Sequence, residues 1–342
     1  MPDPEFAPDL AFVHLSDIHF RKGQVGDAHD IDDEIRNELE RDLRIVRAKH
    51  VPKLDGIVVS GDIAFSGQPE EFDYARGWIE KVRELLDCPP VGVMVTPGNH
   101  DVDRTPIVAG GQIDELHESI RAGGSLQQRD SLIASTLRNK TKGPLLFSSI
   151  AAYNDFARTY GCAVSPTSPY WERDFPLNEK GTLRVRGMSS TLISGPRDHE
   201  TTHKLVYGGA QRTLTREDRI WRLIVGHHPP SWTLEGDDAD RVFSNRATIQ
   251  LFGHKHDQWF SRYEKGIRLI AGAVHPDRAE AMWEPRYSMI ALKLEGSGSL
   301  MIRVYPRRWS REELMFIGDF NSRGEDYRDH TVPWDTTALG PF

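Results

Sequence analysis

Asp17, His19, Asp62, Asn99, His227, His254 and His256 are the side chains of this sequence whose types and spacing suit chemistry. They are carboxylates, imidazoles and one amide, a donor set that fits divalent Mn, Fe or Zn without selecting among them. They occur in Asp17-Ile18-His19, Gly61-Asp62, Gly98-Asn99-His100-Asp101, Gly226-His227-His228-Pro229-Pro230 and Gly253-His254-Lys255-His256. Each cluster stands where an apolar run stops. One such cluster is ordinary turn polarity; the whole series describes a metal centre built at one end of a sheet. Alternate residues on extended backbone point the same way, so Asp17 with His19, and His254 with His256, are expected to reach one centre from single strand ends. Two divalent cations roughly 3.5–4 Å apart would cancel the charge on a phosphoester, orient it and acidify a shared water.

The runs that must position these groups are legible. Apolar stretches at 10–15, 56–60, 91–95, 222–225 and 248–252 read as strands, each delivering one cluster. Ile31, Ile35, Leu39 and Leu43 recur every four residues, which predicts a helix over about 32–50. Phe72, Ala75, Ile79, Val82 and Leu85 share one face of a second helix that opens at Pro69. Strand, helix, strand, helix, strand implies right-handed βαβ units. From Val102 to Gln211 the pattern weakens. Helices are expected near 125–139 and 146–160, and short strands near 170–176, 182–187 and 191–194. This stretch reads as an insertion, at about 102–220, lying over or beside the site. Further strands are expected near 267–273, 287–294 and 301–305. One domain over 10–310 followed by a wrapping tail over 311–342 is the simplest organisation.

Composition removes several classes of function. The chain has 342 residues, 38% hydrophobic and 27% charged, the profile of a globular protein. No run approaches the 18 apolar residues of a membrane span, and the acidic, proline-containing start does not read as a secretory signal. A formal net charge of −8 argues against a wholesale nucleic-acid binder. Residues 102–220 run the other way, with 16 Lys and Arg against 13 Asp and Glu. Cys88 and Cys162, the only cysteines, have neither zinc nor disulfide spacing, and a reducing cytoplasm is the expected compartment.

In this order, the five clusters resemble the signature blocks of the calcineurin-like metallophosphoesterase superfamily. The Gly-His-His-Pro-Pro form and the Ser60-Gly61-Asp62 context are most similar to bacterial phosphodiesterases of the class III cyclic-nucleotide type. The resemblance implies an α/β fold, a four-layer αββα sandwich with a dinuclear metal site at the strand ends. It also implies that Asp17, His19 and His256 hold one metal, that Asn99, His227 and His254 hold the other, and that Asp62 bridges them. His100 would stabilise charge or protonate the leaving group, with Asp101 or a neighbour orienting it, while a hydroxide shared by the metals attacks phosphorus. Asn99, His100 and His228 are the expected substrate contacts, although His228 reads equally as packing.

The expected partner is a phosphoester, most naturally a nucleotide-type diester. A nuclease of the same superfamily and a phosphomonoesterase or protein phosphatase share the ligands and stay open as rivals, as does a module that keeps the fold without catalysis. His14 reads as a core or edge histidine. His29, His50, His117, His199, His203 and His330 read as surface residues, and His275 as a rim candidate. Trp232 and Trp259 follow site motifs and read as rim or core before base-stacking groups. Arg104 would meet a phosphate or pair with Asp103.

Overall fold

The computed structural model describes residues 6–333 except 24–26, 28–29, 180, 199–203, 279–282, 297 and 322. His29, His199 and His203 therefore lie outside the described residues. The first sheet takes β1 (Leu10–Leu15), α1 (Asp33–His50), β2 (Gly56–Ser60), α2 (Pro69–Leu85) and β3 (Val93–Thr96) in succession. β1, β2 and β3 pair in parallel, so all three end on the same edge. Helix α1 buries Ile35, Leu39 and Leu43 of the expected stripe, together with Val46, whereas Ile31 precedes the helix and is exposed. Pro69 opens α2, where Glu71 reaches back to the backbone N–H of Gln68 at 3.1 Å and closes the first turn.

Helices α3 (Gln112–Arg121), α4 (Leu126–Arg138), α5 (Lys142–Phe147) and α6 (Ala151–Arg158) then precede β4 (Tyr170–Leu177) and β5 (Gly181–Met188). These two strands are not an appendage. β5 pairs in parallel with β6 (Ile220–Val225), so the second half of the 102–220 stretch is built into the second sheet. The 191–194 stretch, expected as a strand, makes only an isolated bridge between Thr191 and Val206.

Short α7 (Gly209–Arg212) precedes β6, and α8 (Gly236–Arg246) leads into β7 (Ile249–Phe252), β8 (Trp259–Tyr263) and β9 (Gly266–Ile270). The second sheet has the order β4-β5-β6-β7-β9-β8. Its strands obey the two-residue period. Leu223, Val225 and Leu251 enter the main core, while Ile224 and Phe252 pack on the other face against Ala239 and Phe243 of α8.

β10 (Arg286–Leu294), β11 (Leu300–Ser310), β12 (Met315–Gly318) and β13 (Arg328–Val332) complete the first sheet, in the order β12-β11-β10-β1-β2-β3 with β13 on β11. The 311–333 stretch is thus edge strand rather than a wrapping tail alone. Residues 334–342 lie outside the described set. The sheets meet through Phe12 of β1 and Phe175 of β4, whose rings are 5.2 Å apart edge to face. The Trp171 indole donates to the Val95 carbonyl at 3.0 Å across the same seam. Two mixed sheets flanked by helices are the sandwich that the sequence predicts.

Candidate metal centre

Five strand ends converge between the sheets: β1, β2 and β3 of the first, β6 and β7 of the second. The chain must turn inward at each end. Asp17, His19, Asp62, His254 and His256 all adopt left-handed backbone, with φ of 55°, 54°, 52°, 72° and 56°. Such a conformation costs a non-glycine residue on the order of 1–3 kcal/mol, and persists where the surroundings over-determine it. At Asp17, His19 and Asp62 the surroundings are the backbone N–H groups of Ile18 and His19, which both donate to the Asp62 carbonyl at 2.9 and 3.0 Å, and at His254 the backbone N–H donates to Asp17 Oδ2 at 3.2 Å. The Asp-x-His and His-x-His pairs are therefore brought together by strained loops rather than by extended strand, as their spacing had suggested.

Asp62 lies at the middle. Its Oδ2 is 3.4 Å from His19 Nε2 and 3.1 Å from His227 Nε2, so one carboxylate oxygen faces a histidine from each sheet. Its Oδ1 accepts the backbone N–H of His100 at 2.7 Å. On one side, Asp17, His19 and His256 bring ligand atoms within 4.8 Å of one another, as do His227, His228 and His254 on the other. His256 Nε2 is 3.3 Å from Asp17 Oδ1. Asn99 stands in a single turn after β3, with Oδ1 2.9 Å from His228 Nε2. Every residue of the expected ligand set is in the cluster.

The donors fit divalent cations. Asp17 and His227 are fully buried, and Asp17 Oδ1 and His227 Nε2 face other members of the cluster, His256 at 3.3 Å and Asp62 at 3.1 Å, without well-aligned hydrogen bonds. His227 Nδ1 donates to the Ser60 carbonyl at 2.8 Å, which leaves Nε2 as the nitrogen turned to the centre. Without cations, protons balance the charge. Burial opposes charge on His227, but Asp62 and Asp17 outweigh it and raise its pKa to about 9. Burial likewise works against the Asp62 carboxylate, and His227 and His19 overcome it to hold the group well below its ordinary range. A buried set of carboxylates and imidazoles that can be stabilised only by protons or by cations is what a metal centre requires.

His100 lies beside this cluster, its ring 4.8 Å from that of His19. Its orienting partner is the Phe65 carbonyl, which accepts from Nδ1 at 2.8 Å. Asp101, expected as a candidate orienter and catalytic group, does different work: its oxygens accept the N–H groups of Ala64 at 2.7 Å and Gly98 at 2.8 Å. It ties the loop after β3 to the loop after β2. His19, His100 and His256 line a cleft of about 670 Å³ with Arg21, Phe65, His275 and Arg278. The Arg21 guanidinium lies 3.6 Å over the Phe65 ring at its wall.

Other expectations sort by burial. His14 is a core histidine bonded to Ser60 Oγ at 2.8 Å. His117, read as a surface residue, is 1% exposed, because its neighbours on α3 turn it inward with Ile113 and Ile120. His50 is partly covered by Tyr305, its ring 4.4 Å away. His275 is buried beside the cleft and donates Nδ1–H to the Ile18 carbonyl at 2.7 Å. Trp232 packs edge to face on His254 at 4.1 Å, whereas Trp259 is 62% exposed on edge strand β8. Arg104 reaches the Asn99 carbonyl at 3.5 Å rather than Asp103. Sequence reasoning missed Ser190 and Tyr207, which contact His228 from a stretch with no recognisable motif.

Comparison with known proteins agrees with this geometry. A family model described as calcineurin-like phosphoesterase matches residues 10–258. No curated protein matches the chain in sequence. Among solved structures, a predicted phosphoesterase from Streptococcus pneumoniae is 11% identical with TM-score 0.36, covering 94% of this chain and 97% of its own. A putative 5'-nucleotidase from Staphylococcus aureus is 13% identical with TM-score 0.41, covering 96% and 55%. Phosphopantetheinyl hydrolase from Mycobacterium tuberculosis is 15% identical with TM-score 0.40, covering 78% and 91%. Likeness at this level says nothing of substrate. With more than half its length matched by the family model, and that family's metal-binding chemistry mirrored in its clustered donors, the chain belongs to the calcineurin-like phosphoesterases.

Proposed function

We propose that the chain is a dinuclear metal-dependent phosphodiesterase acting on a nucleotide-type substrate. The observation that carries the dinuclear reading is the single Asp62 oxygen facing His19 at 3.4 Å and His227 at 3.1 Å. Asp17, His19 and His256 would hold one cation, Asn99, His227 and His254 the other, with Asp62 common to both. Bound divalent cations supply Lewis-acid charge to the phosphoryl oxygens and lower the pKa of water. The chain does the rest. The strained loops hold the ligands before substrate arrives, so little reorganisation accompanies reaction. With Nδ1–H committed to the Phe65 carbonyl, His100 keeps Nε2 for the cleft, and its imidazolium form, which burial disfavours and Asp62 favours, carries there the proton that it delivers to the departing oxygen.

The cleft supports a diester over a monoester. At about 670 Å³ it lies within the range of small-molecule sites and extends past the histidines to Phe65 and Arg278. That leaves room for a substituent on the far side of phosphorus. Arg104, beside the Asn99 carbonyl, is suited to meet a phosphoryl oxygen.

The test is hydrolysis of bis-p-nitrophenyl phosphate against p-nitrophenyl phosphate, with metal stripped and Mn²⁺ restored. Cyclic nucleotides, single-stranded DNA and duplex DNA serve as competitors. The expected result is Mn²⁺-dependent diester cleavage that a cyclic nucleotide inhibits. Faster monoester turnover, or inhibition by DNA alone, would replace this reading with a phosphomonoesterase or a nuclease.

A further inference from the structure

His227 and His228 are adjacent, fully buried and set edge to face with rings 4.6 Å apart, yet their partners give them opposite tautomers. A carbonyl oxygen only accepts, so the 2.8 Å bond to Ser60 puts the His227 proton on Nδ1 and frees Nε2. The Asn99 amide oxygen also only accepts, so the 2.9 Å contact puts the His228 proton on Nε2. His228 Nδ1 lies 2.7 Å from the Ser190 hydroxyl, which donates to it in this tautomer. His228 thus lacks a free nitrogen for a cation, although it stands among groups that could bind one.

We propose that Ser190 and His228 form a positioning pair that sets the Asn99 oxygen toward the cation bound by His227 and His254. The proposal rests on the metal-centre reading above. The two ends of an amide are nearly isosteric, and nothing in the turn after β3 would itself choose which end faces inward. With the Ser190 hydroxyl donating to Nδ1, the His228 proton is on Nε2, and a flipped Asn99 would set donor against donor. One oxygen lone pair is taken by His228, and the other would be left for a cation.

The device is held firmly. Ser190 is fully buried, and the Tyr207 hydroxyl donates to the His228 carbonyl. A Cβ on Gly226 would lie 2.6 Å from that hydroxyl, so the close approach requires glycine. Ser190 and Tyr207 both come from the 102–220 stretch, which on this reading reaches into the metal centre itself.

The experiment is calorimetric titration of metal-stripped protein with Mn²⁺, for wild type, Ser190→Ala, His228→Gln and His228→Leu, with melting of each stripped protein as a fold control. Wild type is expected to take up two equivalents. His228→Leu should weaken one equivalent about 10- to 100-fold and leave the other unchanged, the usual effect of losing an outer partner. His228→Gln, whose carboxamide N–H can stand in for Nε2–H, should recover most of that loss, and Ser190→Ala should weaken the same equivalent. Equal loss in the Gln and Leu variants would make His228 a ligand and overturn the proposal. Wild-type affinity in all three would overturn it as well. Uptake of fewer than two equivalents by wild type would instead refute the dinuclear reading, and the proposal with it.

Discussion

Gly98→Ala adds one methyl group and removes no ligand, so it tests the geometry of the centre apart from its chemistry. The new Cβ would lie 2.2 Å from Asp62 Oδ1 and 2.5 Å from the Asp62 nitrogen, distances that real Cβ atoms do not show. Relief requires a relative shift of about 1 Å. Asp62 Oδ1 would then lose its 2.7 Å bond to the His100 N–H, and Oδ2 would leave its place between His19 and His227. Overpacking of this kind costs about 1–3 kcal/mol of stability. A misplacement of about 1 Å in a catalytic constellation costs roughly 100-fold in rate. Gly77→Ala is the control: that glycine lies in α2 with no atom within 4 Å of the added carbon, and the change should stabilise by about 0.5–1 kcal/mol. The assay pairs turnover of bis-p-nitrophenyl phosphate with bound metal by plasma mass spectrometry. Wild-type turnover and metal content in Gly98→Ala would refute the claim that Asp62 must stay where the Gly98 backbone leaves room for it.

Other outcomes follow from single contacts. His100→Ala should lower turnover about 100- to 10,000-fold with metal content intact, since the side chain donates to a carbonyl and only the backbone N–H touches Asp62; loss of metal in that variant would contradict the role given to it. Asp101→Ala leaves the buried N–H groups of Ala64 and Gly98 without their acceptor and should destabilise the stripped protein by about 1–3 kcal/mol for each, read by chemical denaturation. Arg104→Ala should raise KM more than it lowers kcat in steady-state kinetics if the guanidinium meets the substrate phosphate. His117 supplies a pH test away from the centre. Burial, then Arg121, lowers its pKa to about 4, so below the ordinary value of 6.5 the unfolded chain binds a proton that the folded one does not. Stability from this group is whole above about pH 6.5 and falls as the pH drops toward 4, by about 3 kcal/mol over that span. His117→Gln should flatten that stretch of the denaturation midpoint against pH.

Much of the scaffold was legible because strand ends carry both kinds of signal at once. Runs such as Gly56–Ser60 are apolar on both faces, as buried parallel strands must be, and each stops at a polar cluster. Helix α1 shows its four-residue stripe for the same reason: one face meets a sheet and the other meets water. The backbone of the centre was not legible. Spacing alone suggested extended pairs, whereas the left-handed turns at Asp17 and His254 are tied by hydrogen bonds to other loops, Asp17 N–H to the Gly61 carbonyl and His254 N–H to Asp17 Oδ2. Within the 102–220 stretch the strands themselves were legible, since β4 buries Trp171, Phe175 and Leu177 and exposes Glu172, Asp174 and Pro176, but their place in the second sheet was not. That place is identified only by the pairing of β5 with β6. His117 looked like a surface residue because α3 was not expected there; within that helix Ile113 and Ile120, four residues before and three after it, mark the inward face. Ser190 could not be found at all, since a serine that acts through another residue's tautomer leaves no motif.

On the reading given above, five strand ends hold two cations on either side of Asp62. Anomalous diffraction from crystals of the protein soaked in Mn²⁺ tests it most directly. Two peaks roughly 3.5–4 Å apart are expected, one bounded by Asp17, His19 and His256 and one by Asn99, His227 and His254, with Asp62 shared between them. A single peak, or a pair that Asp62 does not touch, would contradict it.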